Sequence, residues 1–223
     1  MIRLIYHSLR IHNMTTNALT ELLRNGVEQL HIKLSAEQFR QLLEYLQLLG
    51  KWNQAYNLTA ISVPEEMVKL HLFDSLAIAP YLKSQRNIDI GTGAGLPGIP
   101  LAIYFPQRQF TLLDSNGKKT RFLTHVKQQL GLNNVEIIHD RAESYRTDKL
   151  YDAILSRAFA SLKDMLNCTA HLCAQQGRFL ALKGTYPDAE IGKLPSNFKV
   201  EKVIPLTVPE IEAERHLLII QRK

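Results

Sequence analysis

Between residue 17 and about residue 81, apolar side chains recur at three- and four-residue steps. Leu19, Leu22, Leu23, Val27 and Leu30 form one stripe; Phe39, Leu42, Leu43, Leu46 and Leu49 form another. That period places them on single faces of helices and predicts a region without strands. Ser35-Ala36-Glu37-Gln38 has the pattern of a capping box and marks a helix start, with Gly50 as the stop of its stripe. Pro64, followed by Glu65 and Glu66, opens another helix, because Pro fits the first turn and acidic groups favour the positive end of the helix dipole. Pro80 is expected to close it.

From residue 87 the texture changes to short β-rich runs separated by helical ones. Strands are expected at residues 87–90, 110–113, 135–138, 151–155 and 178–182. Helices are expected at 99–104, at 118–130 with Gly131 as its stop, and from about 162 to 174. Residues 200–206 and 216–220 read as a terminal antiparallel pair. Strands alternating with helices imply an α/β fold, with a mostly parallel sheet covered on both faces. The expected organisation is a helical region over residues 14–85 and an α/β domain over 86–223. Residues 1–13 fit no period and are expected to be a loose tail, with Met14 before Thr15-Thr16 as an alternative initiator.

Composition narrows the class. Hydrophobic residues make up 45% and charged residues 22%, which excludes a fibre or a disordered chain. Lys plus Arg is 27 against 21 Asp plus Glu, a formal charge of +6. This balance favours anionic partners, nucleic acid ahead of a membrane surface. Cys168 and Cys173 stand five residues apart in a helical-looking stretch. They match neither a metal clip nor a disulfide framework, and are expected to be small core residues in a reducing cytoplasm. The longest apolar runs, such as residues 76–82, are far short of a membrane span.

The candidate chemistry begins at Asp89-Ile90-Gly91-Thr92-Gly93-Ala94-Gly95-Leu96-Pro97-Gly98, after the first strand and ahead of a helix. In an open α/β sheet this turn lies at the ligand-binding edge. Gly93-x-Gly95-x-x-Gly98 matches the dinucleotide fingerprint by letter. The register differs, because the strand ends at Ile90 and Gly91 is the first turn residue. Counted from Asp89, the pattern is similar to the S-adenosylmethionine loop of class I methyltransferases. Pro97 has no N–H to offer a pyrophosphate, a loss that matters to a dinucleotide and not to S-adenosylmethionine. Asp114, after the second strand, suits the hydroxyls of a ribose, or alternatively caps the next helix. Ala142-Glu143 follows the third strand. Ser156-Arg157-Ala158-Phe159 ends the fourth, in the slot where nucleic-acid methyltransferases often keep their chemistry. It holds no Pro-Pro-Tyr motif and no cysteine nucleophile. Guanine N7 has a free lone pair and no proton to remove, so alignment alone could carry such a transfer.

Together these residues resemble the bacterial ribosomal RNA small subunit methyltransferase G family, also called glucose-inhibited division protein B. The matching text includes Lys51-Trp52-Asn53, Tyr56-Asn57-Leu58-Thr59, His71 and Asp74-Ser75. It continues through Gly91 to Leu101, Leu113-Asp114-Ser115, Gly117-Lys118-Lys119, Ser156-Arg157-Ala158, Leu182-Lys183-Gly184 and Glu214-Arg215-His216. The resemblance implies a class I Rossmann-like S-adenosylmethionine methyltransferase fold with an N-terminal helical extension and an antiparallel C-terminal strand. It implies methylation of guanosine 527 of 16S ribosomal RNA at N7, with free rRNA, an assembly intermediate and the intact subunit open as substrate forms. Separately, the lack of a membrane span or signal leads to the expectation of a cytoplasmic protein, taken as a monomer. Cofactor contacts are implied at Gly91, Leu96, Ala142, Glu143 and Arg157; the residue pattern adds Gly93 and Asp114. Arg157 is the candidate for positioning substrate and cofactor. Lys118, Lys119, Arg141 and Lys183 are the candidate RNA-binding cations. The family often has Arg where this chain has Lys119, which keeps the charge but not the bidentate fork. Trp52 and Tyr56 could stack on a base or pack in the core, and His71 could contact substrate or be structural. Rival readings are a methyltransferase of another RNA, a protein or a small molecule; an NAD-dependent oxidoreductase; and a non-catalytic RNA-binding module.

Overall fold

The capping box expected at Ser35 forms. Ser35 Oγ accepts from the Gln38 N–H at 3.2 Å, and Gln38 Oε1 accepts from the Ser35 N–H at 2.9 Å. In this computed structural model, residues 17–157, 159 and 161–223 are described; the expected tail and Met14 lie outside them. Helix α1 runs through residues 17–29 and α2 through Ala36–Tyr56. Gly50 does not stop α2. A Cβ at Gly50 would touch nothing, and the helix continues until Asn57 turns left-handed at φ 51°. The extra turn is useful because Trp52 packs on Phe122, ring centroids 5.6 Å apart.

The third helical run is not uniform. It comprises α3 (Pro64–Met67), a π-helical stretch over Val68–Phe73 and α4 (Asp74–Leu76). The apolar period shows no sign of the widened turn. Pro80 sits inside a short 3-10 turn, Ala79–Tyr81, after the helix has already ended at Leu76.

The α/β part follows the expected alternation. Its elements are β1 (Arg86–Ile90), α5 (Gly98–Tyr104), β2 (Gln109–Asp114), α6 (Gly117–Leu130), β3 (Val135–His139), β4 (Tyr151–Ser156), α7 (Leu162–Thr169), β5 (Cys173–Lys183), α8 (Asp188–Ile191), β6 (Phe198–Pro205) and β7 (His216–Arg222). The helix expected to reach residue 174 stops at Thr169, and a 3-10 turn leads directly into β5. Cys173 therefore begins a strand. The sheet order is β3-β2-β1-β4-β5-β7-β6. The pairs among β1 to β5 are parallel, and β7 is antiparallel to both β5 and β6. Order reverses between β1 and β4, so a crevice opens beyond their carboxyl ends.

One core cluster joins the helical region to the sheet, from Leu23, Leu42 and Phe73 through Leu101 and Phe122 to Leu182 and Leu217. The other face buries Ile88, Ile154, Leu166, Phe179 and Ile220. Gly26 is required where α1 crosses the π-helical stretch, because its Cβ would lie 2.0 Å from Phe73 Cζ. Helix α2 also satisfies the ends of two neighbours. Gln38 Nε2 donates to Ile103 O and Tyr104 O at 3.0 Å each, and Gln41 Nε2 donates to Leu130 O at 2.8 Å. Terminal helix carbonyls otherwise lack partners.

Gln38 thus works through both ends of its amide. In an isolated capping box Glu serves as well as Gln. Here Gln38→Glu would put a carboxylate against two carbonyl oxygens. It should destabilise the fold by about 1–3 kcal/mol. The check is chemical denaturation, with a lower midpoint at unchanged slope.

Candidate active site

The site is built on a loop closed from beneath. Asp89, on β1, is fully buried; its Oδ2 accepts from Thr92 Oγ1 at 2.6 Å and from the Gly98 N–H at 2.9 Å, while Oδ1 is buried with no partner among the described residues. Burial pushes its carboxyl up to about 6, against the pull of those two donors. Gly98 is obligatory at this closure, since a Cβ there would lie 2.1 Å from Leu112 Cδ2. Gly91 and Gly93 sit at φ +63°, and a Cβ on either would meet nothing nearer than 3.9 Å. The loop is packed below and open above.

The start of α5 is already satisfied. Pro97 and Pro100 have no N–H, Gly98 donates to Asp89, and Ile99 donates to Gly95 O at 2.7 Å. A helix N-terminus that binds phosphate needs free N–H groups and no acid beneath them. This one has spent its donors and stands on a carboxylate.

Asp114 ends β2 and is buried. It accepts from the Gly93 N–H and the Asn116 N–H at 2.9 Å each, and Lys119 Nζ lies 3.7 Å away. Asn116, not Asp114, caps α6, through its Oδ1 and the Lys118 N–H at 2.9 Å. Beyond β3, Ala142 is buried and Glu143 exposed. Arg157 follows β4, with Nη1 donating to Leu70 O at 3.0 Å and lying 3.6 Å from Asp74 Oδ2. Asp74 Oδ1 accepts from Arg215 Nε at 2.9 Å. His71 is buried one turn before Asp74, its Nε2 3.1 Å from Thr59 Oγ1 and its Nδ1 without a hydrogen-bond partner among the described residues. Burial, helped by the nearby Arg157 charge, lowers its pKa to about 4, so the ring is neutral at pH 7.

A family model described as rRNA small subunit methyltransferase G matches residues 38–218. Curated relatives with that name are 53% identical over 201 residues in Pseudomonas aeruginosa strain LESB58, covering 90% of this chain and 94% of that one. In Pseudomonas syringae pv. syringae strain B728a the figure is 51% over 210 residues, covering 94% and 98%. The chain belongs to the rRNA small subunit methyltransferase G family. Among solved structures, a SAM-dependent methyltransferase from Aquifex aeolicus superposes with a TM-score of 0.56 at 17% identity, covering 69% of this chain and 92% of that one. The ribosomal protein L11 methylase of Lactobacillus delbrueckii subsp. bulgaricus superposes at 0.52 with 14% identity, covering 68% and 77%. At such identities these likenesses describe the fold.

Within this family member, Gly91, Gly93, Leu96, Asp114, Ala142, Glu143 and Arg157 lie at or just beyond the carboxyl ends of β1 to β4. Lys118, Lys119 and Arg141 flank the same edge, with Lys118 and Arg141 exposed. Lys119 and Arg141 have carboxylates 3.7 Å away, Asp114 and Glu143, whereas Lys183 is held more tightly, its Nζ donating to both Glu190 oxygens at 2.9 Å. Trp52 is in the packing with Phe122 and His125, while Tyr56 stays exposed. Cys168 lies on α7, and Cys173 at the amino end of β5, away from the crevice. The Asp74–Arg215 contact was not visible in the sequence, because its partners are 141 residues apart.

Two buried groups here titrate in opposite senses. Asp89, with its folded pKa raised, stabilises the fold fully below about pH 4, and that contribution is lost as pH rises through about 6. His71, with its folded pKa lowered, acts the other way, losing stability as pH falls from about 6.5 towards 4. Asp89→Asn isolates the first. The stability of the wild type relative to Asp89→Asn should decline between pH 4 and 6 and level off above, as read from thermal unfolding across that range. A flat difference would contradict the buried carboxyl.

Proposed function

We propose that this protein transfers the methyl group of S-adenosylmethionine to N7 of a guanosine in 16S rRNA, the position implied being 527. The observation that carries the cofactor choice is the spent N-terminus of α5 above Asp89. It offers nothing to a pyrophosphate, and so disfavours a nicotinamide dinucleotide. The cofactor fits the residues present: the open backbone at Gly91 and Gly93 admits a ligand, Asp114 offers a carboxylate for ribose hydroxyls, Ala142-Glu143 would lie near the adenine, and Leu96 would add an apolar contact. When bound, the cofactor supplies an electrophilic methyl on a sulfonium.

The protein's task is then alignment. Guanine N7 attacks through an in-plane lone pair, so no side chain has to take a proton first. The end of β4 supplies Arg157 rather than a base or a thiol, and both cysteines are remote from it. That arrangement favours N7 over a pyrimidine carbon, where a cysteine nucleophile is needed. Arg157, fixed by Leu70 O and Asp74, holds the reacting partners in register. Lys118, Lys119 and Arg141 lie where they can meet rRNA phosphates, with affinity falling as salt rises. Lys183, paired with Glu190, contributes less. The proposed setting is the cytoplasm, with the protein acting as a monomer on rRNA or a small-subunit particle; among the described residues, no helix is long and apolar enough to cross a membrane.

Labelled S-adenosylmethionine and small-subunit particles from cells lacking this gene should yield one N7-methylguanosine in 16S rRNA on nucleoside analysis. Label in another nucleoside, or none, would overturn the acceptor. In the same assay Arg157→Ala should lower transfer at least ~100-fold, the scale of a misplacement of about 1 Å, with its unfolding temperature little changed. Full activity in Arg157→Ala would remove that residue from the mechanism.

A further inference from the structure

We propose that Asp74 is the positioning residue of the reaction, acting through Arg157. The inference rests on the role of Arg157 given above. Asp74 is almost fully buried, yet its carboxylate faces two guanidinium groups from distant parts of the chain: Arg215 Nε at 2.9 Å on Oδ1 and Arg157 Nη1 at 3.6 Å from Oδ2. The two arginines bear like charges and are themselves largely covered, with side-chain exposures of 21% and 25%. Without the carboxylate between them they would repel in a poorly solvated place.

The widened helical turn completes the device. In an α-helix the Asp74 N–H would bond Leu70 O. Here it bonds Lys69 O and His71 O, and Leu70 O accepts from Arg157 Nη1 at 3.0 Å. A carbonyl and a carboxylate from one short segment, residues 70–74, therefore hold the same guanidinium. π-Helical turns are rare and are frequent at functional sites. Arg215 steadies the carboxylate from the far side, just ahead of β7. The helical region thereby fixes the guanidinium that follows β4.

The test is single-turnover transfer of labelled methyl, with cofactor affinity by calorimetry and unfolding temperature measured alongside. Four proteins are compared: wild type, Asp74→Asn, Arg157→Ala and the double variant. Asp74→Asn should slow transfer at least tenfold while changing cofactor affinity less than threefold. In the Arg157→Ala background it should slow the residual transfer less than twofold, because Asp74 acts through the missing guanidinium. Equal slowing in both backgrounds would make Asp74 merely structural and overturn the inference. A wild-type rate in Asp74→Asn would do the same. An active Arg157→Ala would instead defeat the reading of Arg157, and the positioning role with it. Should Asp74→Asn fail to fold, Asp74→Glu keeps the charge and shifts it by one methylene. It should fold and transfer several-fold more slowly, and a wild-type rate there would count against the proposal.

Discussion

The site depends on one buried carboxylate. Asp89 gathers the hydroxyl of Thr92 and the N–H of Gly98, and so draws both ends of the glycine turn onto the end of β1. The second floor of the loop, Asp114, does the same for Gly93 from β2. Two acids close together would not both stay ionised in a dry interior unless donors and a cation were near. The loop amides supply the donors, and Arg157 lies close enough to pull the Asp89 carboxyl down against its burial. Loop, sheet edge and arginine therefore form one electrostatic unit.

The helical region is part of that unit. Tyr45 Oη donates to Ala94 O at 2.8 Å, tying α2 directly to the glycine loop. Gln38 and Gln41 occupy the carbonyl ends of α5 and α6, the two helices that follow β1 and β2. The residues ahead of the sheet are thus bonded to the glycine loop and to the helices beside it, and share their core.

Much of this was legible in the sequence. Alternating strands and helices, the glycine loop and its register, and the acids and arginine at strand ends were all visible, because each follows from a local period or a fixed place after a strand. What escaped reading was either a local cost repaid elsewhere or a contact across the fold. Gly50 reads as a stop, but the packing of Trp52 on Phe122 carries α2 past it. The β5 start at Cys173 is set by pairing with β4, where Tyr151 faces Cys173, and not by the helical look of residues 168–174. The π-helical turn has no period of its own. Lys183 looks like a free cation until Glu190 is brought beside it, and no spacing rule joins Asp74 to Arg215.

The satisfied helix start above Asp89 bears on selectivity inside a cell. ATP and other adenine nucleotides carry the same adenine and ribose as the proposed cofactor, and they are abundant competitors. At the start of α5 their phosphates would meet N–H groups already bonded within the protein and an acid beneath the turn. The helix start thus gives no anchor to the phosphates of the commonest adenosine compounds, with no bulky side chain needed to set them apart from the sulfonium.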